Sequence, residues 1–187
     1  KAIHYLTLAS NQNEPIAQNN LGNIYYEGKY IKRDINKAIY YLTLSANQNE
    51  QIAQYNLGFI YSEGEYIERD INKAIYYLTL ASNQNEPAAQ AKLGFIYYEG
   101  KYIKRDINKA IYYLTLSANQ NEPAAQTNLG FIYYEDKYIK RDINKAIYYL
   151  TLASNQNEPA AQNDLGFIYY EGKYIEQDIN KAIYYLT

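Results

Sequence analysis

The 187-residue sequence has no cysteine. Neither a disulfide framework nor a thiolate metal site is therefore available, and stability must come from packing alone. There is one histidine, His4, and it stands where Tyr40 stands one period later, so it reads as a variant tyrosine position and not as a ligand or general base. No apolar run approaches the roughly 20 residues that a bilayer-crossing helix needs. The longest uncharged stretches, such as 38–48, are full of Tyr, Thr, Ser and Asn. There is no phosphate-binding loop, nucleophile motif, metal-ligand spacing or Asn-x-Ser/Thr acceptor. The carboxylates Glu27 and Asp34 recur in every unit as cap and turn residues, and no unit adds a second group to make a catalytic pair. The expectation is a protein that is not an enzyme and carries no cofactor or metal. A net charge of -2 spread over every unit argues against an electrostatically driven nucleic-acid binder. The 48% hydrophobic content argues against a disordered tail.

What is present is a period. Leu-Gly stands at Leu21-Gly22, Leu57-Gly58, Leu93-Gly94, Leu129-Gly130 and Leu165-Gly166, 36 residues apart, and Lys-Ala-Ile recurs at the same spacing from Lys1 to Lys181. A fixed period in this range means a solenoid whose units bury their apolar faces against their neighbours. All four prolines share one repeat position and all four phenylalanines another. Three departures stand out: Gln51 in the proline position, Asn23 in the phenylalanine position and Asp136 in place of a helix-ending glycine. Asp136 is expected to give a strained or differently shaped turn. The sequence begins at Lys1 and stops at Thr187 in mid-repeat. Either it is a fragment of a longer array, or its natural ends are missing.

One unit reads as two helices. Asn85-Glu86-Pro87 predicts a helix start with Asn as N-cap and Pro in the first turn. Ala89, Leu93, Ile96 and Tyr97 follow helical spacing, and Gly100 ends the helix as a left-handed cap. Asp106 caps a second helix over 107–118, with Ala110, Tyr113, Leu114 and Ser117 facing inward and Lys109 and Tyr112 outward. Gly94 inside the first helix costs about 1 kcal/mol relative to alanine, which points to close approach by the second helix.

The motif Ala-Gln-x-x-Leu-Gly-x-Ile-Tyr at Ala89 to Tyr97, the Gly100 turn, and Asp106 followed by Lys109-Ala110 and Tyr113 resemble Sel1-like repeats, a subgroup of the tetratricopeptide-like helical solenoids. The resemblance covers the whole chain. It implies an all-α fold, a right-handed α-solenoid of antiparallel helix pairs in 36-residue repeats, with first helices lining a concave surface and second helices forming the outer wall. It also implies an adaptor that gathers other proteins. The expected division is one repeat domain over 1–187: residues 1–13 as the second helix of a preceding unit, 14–49, 50–85, 86–121 and 122–157 as full units, and 158–187 as a truncated one. The family's usual double alanine late in the second helix alternates here as Ala9-Ser10, Ser45-Ala46, Ala81-Ser82, Ser117-Ala118 and Ala153-Ser154. The hydroxyls are expected to bond back to a helical carbonyl, and the alternation hints at a 72-residue duplication.

If first helices line the inside of the curve, three columns face a partner there: Asn19, Tyr55, Ala91, Thr127, Asn163; Asn23, Phe59, Phe95, Phe131, Phe167; and Tyr26, Tyr98, Tyr134, Tyr170, with Ser62 in the second unit. Rigid aromatics interleaved with small polar groups suit peptide recognition, although such stripes also serve as packing between units. Tyr40, Tyr76, Tyr112, Tyr148 and Tyr184 are expected on the outer wall, either covering lysine stems or marking a lateral contact. The loop pairs Lys32-Arg33, Lys104-Arg105 and Lys140-Arg141 are each followed by Asp and read as solvated turn residues. Two functions compete: a scaffold holding a partner peptide or helix along the concave groove, and a structural array that stacks end to end or laterally into a fibre. The second is motivated by the lack of a polar capping repeat at either end. The partners expected are other proteins or further copies of the chain.

Overall fold

Each period carries two helix signals, and each signal becomes a helix in the computed structural model, which describes residues 1–187. Eleven α-helices result, with no strand: α1 Ala2–Asn11, α2 Pro15–Glu27, α3 Ile35–Asn47, α4 Gln51–Glu63, α5 Ile71–Asn83, α6 Pro87–Glu99, α7 Ile107–Ala118, α8 Pro123–Tyr134, α9 Ile143–Ser154, α10 Pro159–Glu171 and α11 Ile179–Leu186. They group into two compact units, Lys1–Lys92 and Leu93–Thr187.

The second helices start as expected. The side chains of Asp34, Asp70, Asp106, Asp142 and Asp178 each accept the amide N–H three residues on, satisfying a donor that the first turn leaves orphaned. At Asp70 the Lys73 N–H holds the carboxyl below the usual aspartate value. The first helices differ from the expectation. Asn13, Asn49, Asn85, Asn121 and Asn157 are not N-caps but sit at positive φ, because the turn that closes the preceding helix claims them. The amides of Asn49 and Glu50 point back to the carbonyls of Ala46 and Ser45, and Asn is the side chain that best tolerates this left-handed geometry. The N-cap is the glutamate that follows, in extended backbone. Where Gln51 replaces proline, the Glu50 carboxylate takes the Ala53 N–H at 2.6 Å, a donor the capping pattern would otherwise leave open.

Gly28, Gly64, Gly100 and Gly172 end their helices at positive φ. Asp136 avoids that conformation: α8 stops one residue early at Tyr134, Glu135 turns extended, and the Asp136 carboxylate accepts the Arg141 N–H at 3.1 Å. The turn is differently shaped and not strained.

Within each unit the helices of a repeat pack antiparallel. In the first unit the start of α2 meets the end of α3, where Ser45 Oγ donates to the Pro15 carbonyl at 2.8 Å, while Tyr25 near the end of α2 stacks on Tyr41 at 5.8 Å. Ser45 thus bonds across to the neighbouring helix and not back along its own, as a serine pointing into a tight interface must. The helices approach closely at the Leu-Gly position. A Cβ on Gly58 would lie 2.5 Å from Leu78 Cγ and 3.2 Å from the Ala74 carbonyl oxygen; in the second unit Gly94 meets Leu114 and Gly130 meets Leu150 in the same way. Leu42, Ala46, Ala53, Leu57 and Ile60 form the core between α3 and α4, and Leu150, Ala153, Ala161, Leu165 and Ile168 the one between α9 and α10.

Buried polar groups are paired. Gln54 donates to the Ala46 carbonyl and Asn49 Oδ1, both at 3.3 Å, and accepts from Gln84 at 2.8 Å; Gln126 and Gln156 repeat the link in the second unit at 2.9 Å. The glutamine of the family motif is therefore a structural bridge between successive helices.

Gly58→Ala adds a methyl against a fully buried leucine and a backbone oxygen. Overpacking costs about 1–3 kcal/mol and the better helix propensity returns about 1, so the variant is expected to lose up to about 2 kcal/mol. The urea unfolding midpoint of the variant against the parent measures the loss.

Candidate functional site

The close approach at glycine turns one side of each first helix into its second helix, and the predicted columns lie on the remaining sides at varied depth, from buried to exposed. In the first unit Asn19 is buried and Asn23 half-buried, and Asn56 ties them together with Nδ2 donating to Asn19 Oδ1 at 3.1 Å and Asn23 Oδ1 at 2.9 Å. Tyr55 lies 6.3 Å from Phe59, and the other occupant of the Phe59 ring is the Lys92 ammonium, 5.3 Å from its centroid and paired with the Glu63 carboxylate. Tyr26 packs edge-on against Tyr66 at 6.0 Å, and burial raises its hydroxyl pKa. Ala91 is half-buried.

In the second unit the aromatic columns converge. Tyr98 packs edge-on against Phe131 and Tyr138, and its hydroxyl donates to Glu135 Oε2 at 3.2 Å. Tyr134 repeats this one 36-residue repeat on, edge-on to Tyr174 and donating to Glu171 at 3.2 Å. Burial and then the adjacent carboxylate push both hydroxyls up, Tyr98 to about 12. Phe131 and Tyr134 of α8 and Phe167 and Glu171 of α10 wall a cleft of about 180 Å³ floored by Leu150 and Ile168. Asp164 also lines it, with its carboxyl raised by desolvation. Phe131 and Phe167 are 40% and 51% exposed, so these rings are not core. Phe95 is 37% exposed. Thr127 is half-buried, and its hydroxyl donates to the Pro123 carbonyl of its own helix at 3.0 Å. Asn163 and Tyr170 stand exposed.

A column missing from the sequence reading lies one residue along from Asn19, Tyr55, Ala91, Thr127 and Asn163: it is Asn20, Asn56, Lys92, Asn128, Asp164. Its changes of charge were the available signal. The loop arginines were also underread. Arg33 donates from Nε to the Tyr26 carbonyl at 2.8 Å and from Nη2 to that of Glu27 at 3.1 Å, and stacks 4.1 Å from the Tyr66 ring. Arg69, Arg105 and Arg141 donate to helix-end carbonyls alike, so the loop arginines cap helix C-termini, while Arg33, Arg69 and Arg105 remain exposed. Lys32, Lys104 and Lys140 do stay exposed.

The outer tyrosines Tyr40, Tyr76, Tyr112 and Tyr148 are 58–59% exposed and Tyr184 75%. Each packs edge-on against the tyrosine that follows it, at 5.0–5.1 Å. The lysines go elsewhere: Lys37 and Lys109 lie over Tyr25 and Tyr97 of the inner stacks.

Paired helices in a regular repeat, with their polar groups used in caps and bridges, define an α-solenoid. The Sel1 repeat model matches residues 1–14, 15–50, 51–86, 87–122, 123–158 and 159–187, and the chain belongs to the Sel1 repeat family. Such repeats commonly build protein-interaction scaffolds. Among solved structures, it is similar to c5321, described as a protective antigen present in uropathogenic Escherichia coli strains displaying an SLR fold, with 27% identity and a TM-score of 0.91 over 98% of this chain. The chain spans 39% of that protein's length. A Sel1 repeat protein from Oxalobacter formigenes is 30% identical, with a TM-score of 0.87, over 98% of this chain and 75% of its own. The immunity protein Pa5087 from Pseudomonas aeruginosa, 20% identical with a TM-score of 0.62 over 98% of this chain and 70% of its own, shares the fold alone. No curated protein matches the chain by sequence. No helix is long and apolar enough to cross a membrane.

Because the folded state favours neutral Tyr98, its contribution to stability is full below about pH 10, the unfolded value, and is lost as pH rises through about 12. Tyrosine ring-carbon NMR of the parent and the Glu135→Gln variant checks this: the Tyr98 midpoint is expected near 12 in the parent and lower in the variant.

Proposed function

We propose that the chain is a protein-interaction scaffold that holds a peptide or helix of a partner protein across its first-helix faces, lining the concave groove of the solenoid. The observation that carries this reading is the convergence of half-exposed rings with carboxylates at the α8–α10 cleft. Aromatic anchors in a partly desolvated cleft supply contact area at low entropy cost, which is how binding energy concentrates at interfaces. The sequence columns belong to the same reading: Asn23, Tyr26, Tyr55, Phe59 and Ala91 in the first unit, with Asn19 buried beneath them, and Phe95, Tyr98, Thr127, Phe131, Tyr134, Asn163, Phe167 and Tyr170 in the second. No group of three or more His, Cys, Asp and Glu gathers for metal chemistry, and Glu135, Glu171 and Glu63 of the face serve tyrosine hydroxyls and a lysine.

Selecting binders to the full chain from a displayed random-peptide library tests the reading. Binders are expected, and Phe59→Asp, Phe131→Asp and the combined Tyr55→Glu, Phe95→Glu, Thr127→Lys variant are each expected to weaken at least one binder by roughly tenfold or more. Binding unchanged in all three variants would sink it.

The exposed outer tyrosines favour a second reading, lateral or end-to-end assembly of copies into a fibre. Light scattering coupled to size separation across a concentration series decides it: growth in the parent that Tyr76→Glu with Tyr148→Glu abolishes is the expected sign of assembly, and a monomer at every concentration rules it out.

A further inference from the structure

One position of the repeat carries opposite charges in the two units. In the first unit Lys92 places its ammonium on the Glu63 carboxylate and over the Phe59 ring, so the cation is held from two sides. Phe131, Glu135 and Asp164 stand 72 residues after Phe59, Glu63 and Lys92. The same place in the second unit therefore holds a carboxylate where the first holds an ammonium. Glu135 is occupied by the Tyr98 hydroxyl, and Asp164 is half-buried with no hydrogen bond or ion pair. Desolvation alone raises its carboxyl. Glu171 lies two turns further along the same face of α10, roughly 10 Å away along the axis. It accepts only the Tyr134 hydroxyl and meets no cation.

A carboxylate that has lost part of its water and gained no donor or cation is unfavourable, and the aromatic rings lining the same cleft supply neither. A cation satisfies both groups at once. The chain does not supply one: Arg141, beside Tyr134, has its Nε on the Tyr134 carbonyl at 2.6 Å and its guanidinium 3.8 Å from the Tyr174 ring. No third ligating side chain gathers for a metal ion. A cleft of about 180 Å³ is smaller than the few hundred Å³ of typical small-molecule pockets and is sized for one side chain.

We propose that the α8–α10 cleft receives the cationic head of an arginine or lysine from a partner protein, laid over Phe131 and Phe167 and paired with Asp164, with Glu171 as the outer acceptor. This specifies the chemistry of the partner and rests on the scaffold reading above. Lys92 is the internal pattern for the contact, and Asp164 opens it to an external cation.

The isotope-labelled full chain is titrated with Nα-acetyl-arginine methylamide, Nα-acetyl-lysine methylamide and the uncharged Nα-acetyl-norleucine methylamide, followed by NMR. The two cations are expected to shift Phe131, Tyr134, Asp164, Phe167 and Glu171, and norleucine to leave them unmoved. Asp164→Asn, which restores the residue of Asn56 and Asn128 and so suits the fold, is expected to weaken the cations by about fivefold. Asp164→Lys, copying Lys92, is expected to abolish binding with unchanged helix content. Equal shifts from norleucine, or undiminished affinity in Asp164→Asn, overturn the proposal. So does concentration-dependent self-association of the parent that Asp164→Asn removes, since the occupant is then a second copy. Library peptides that bind the first-helix face without a basic residue overturn this inference and leave the scaffold reading standing. An absence of any binder removes the scaffold reading itself.

Discussion

The structure depends on how closely the two helices of a repeat approach at the Leu-Gly glycine. With no Cβ on Gly58, the Leu78 side chain lies where a methyl would otherwise stand, and the Ala74 carbonyl comes within 3.2 Å of that place. That approach brings Tyr61 parallel to Tyr77 at 6.1 Å further along the pair. The second unit repeats both contacts, at Gly130 with Leu150 and at Tyr133 with Tyr149. Once the helices are locked so closely, their rotation is set, and so is which side of each first helix faces out. The outward columns are a consequence of this one contact.

The remaining polar groups are largely spent on holding that geometry. Buried glutamines link a first helix to the second helices before and after it, left-handed asparagines close the turns, and arginines cover helix-end carbonyls. A solenoid gains stability from such nearest-neighbour links, because no single unit can bury its own faces. Asp164 stands out against this background as a half-buried charge the fold does not use.

The column through Asn56, Lys92 and Asp164 shows how a constant frame carries variable chemistry. Asn56 closes its stretch by bonding two neighbouring amides, Lys92 fills its place with the chain's own cation, and Asp164 leaves a desolvated negative site open. The backbone is the same in each case and only the side chain changes. This is the expected economy of a repeat scaffold, in which a constant frame presents a few variable outward positions.

The sequence by itself determined the period, the two helices per unit, the Asp caps of the second helices, the reason for Gly94 and the exposed Tyr112 row, because each follows from local spacing or from a residue with one backbone use. It misassigned Asn85, whose place at positive φ depends on where the preceding helix ends, and it missed that the guanidinium of the exposed Arg105 reaches back to helix-end carbonyls. Only tertiary structure decided which outward columns meet. Phe131, Tyr134, Phe167 and Asp164 are spread over two helices 24 or more residues apart at their nearest starts and ends, yet they line one cleft because helix packing places those faces together. Burial decided the rest: the sequence shows that Asp164 carries a carboxylate, and only the packed neighbours show that water has been partly removed from it and that no partner has replaced the water.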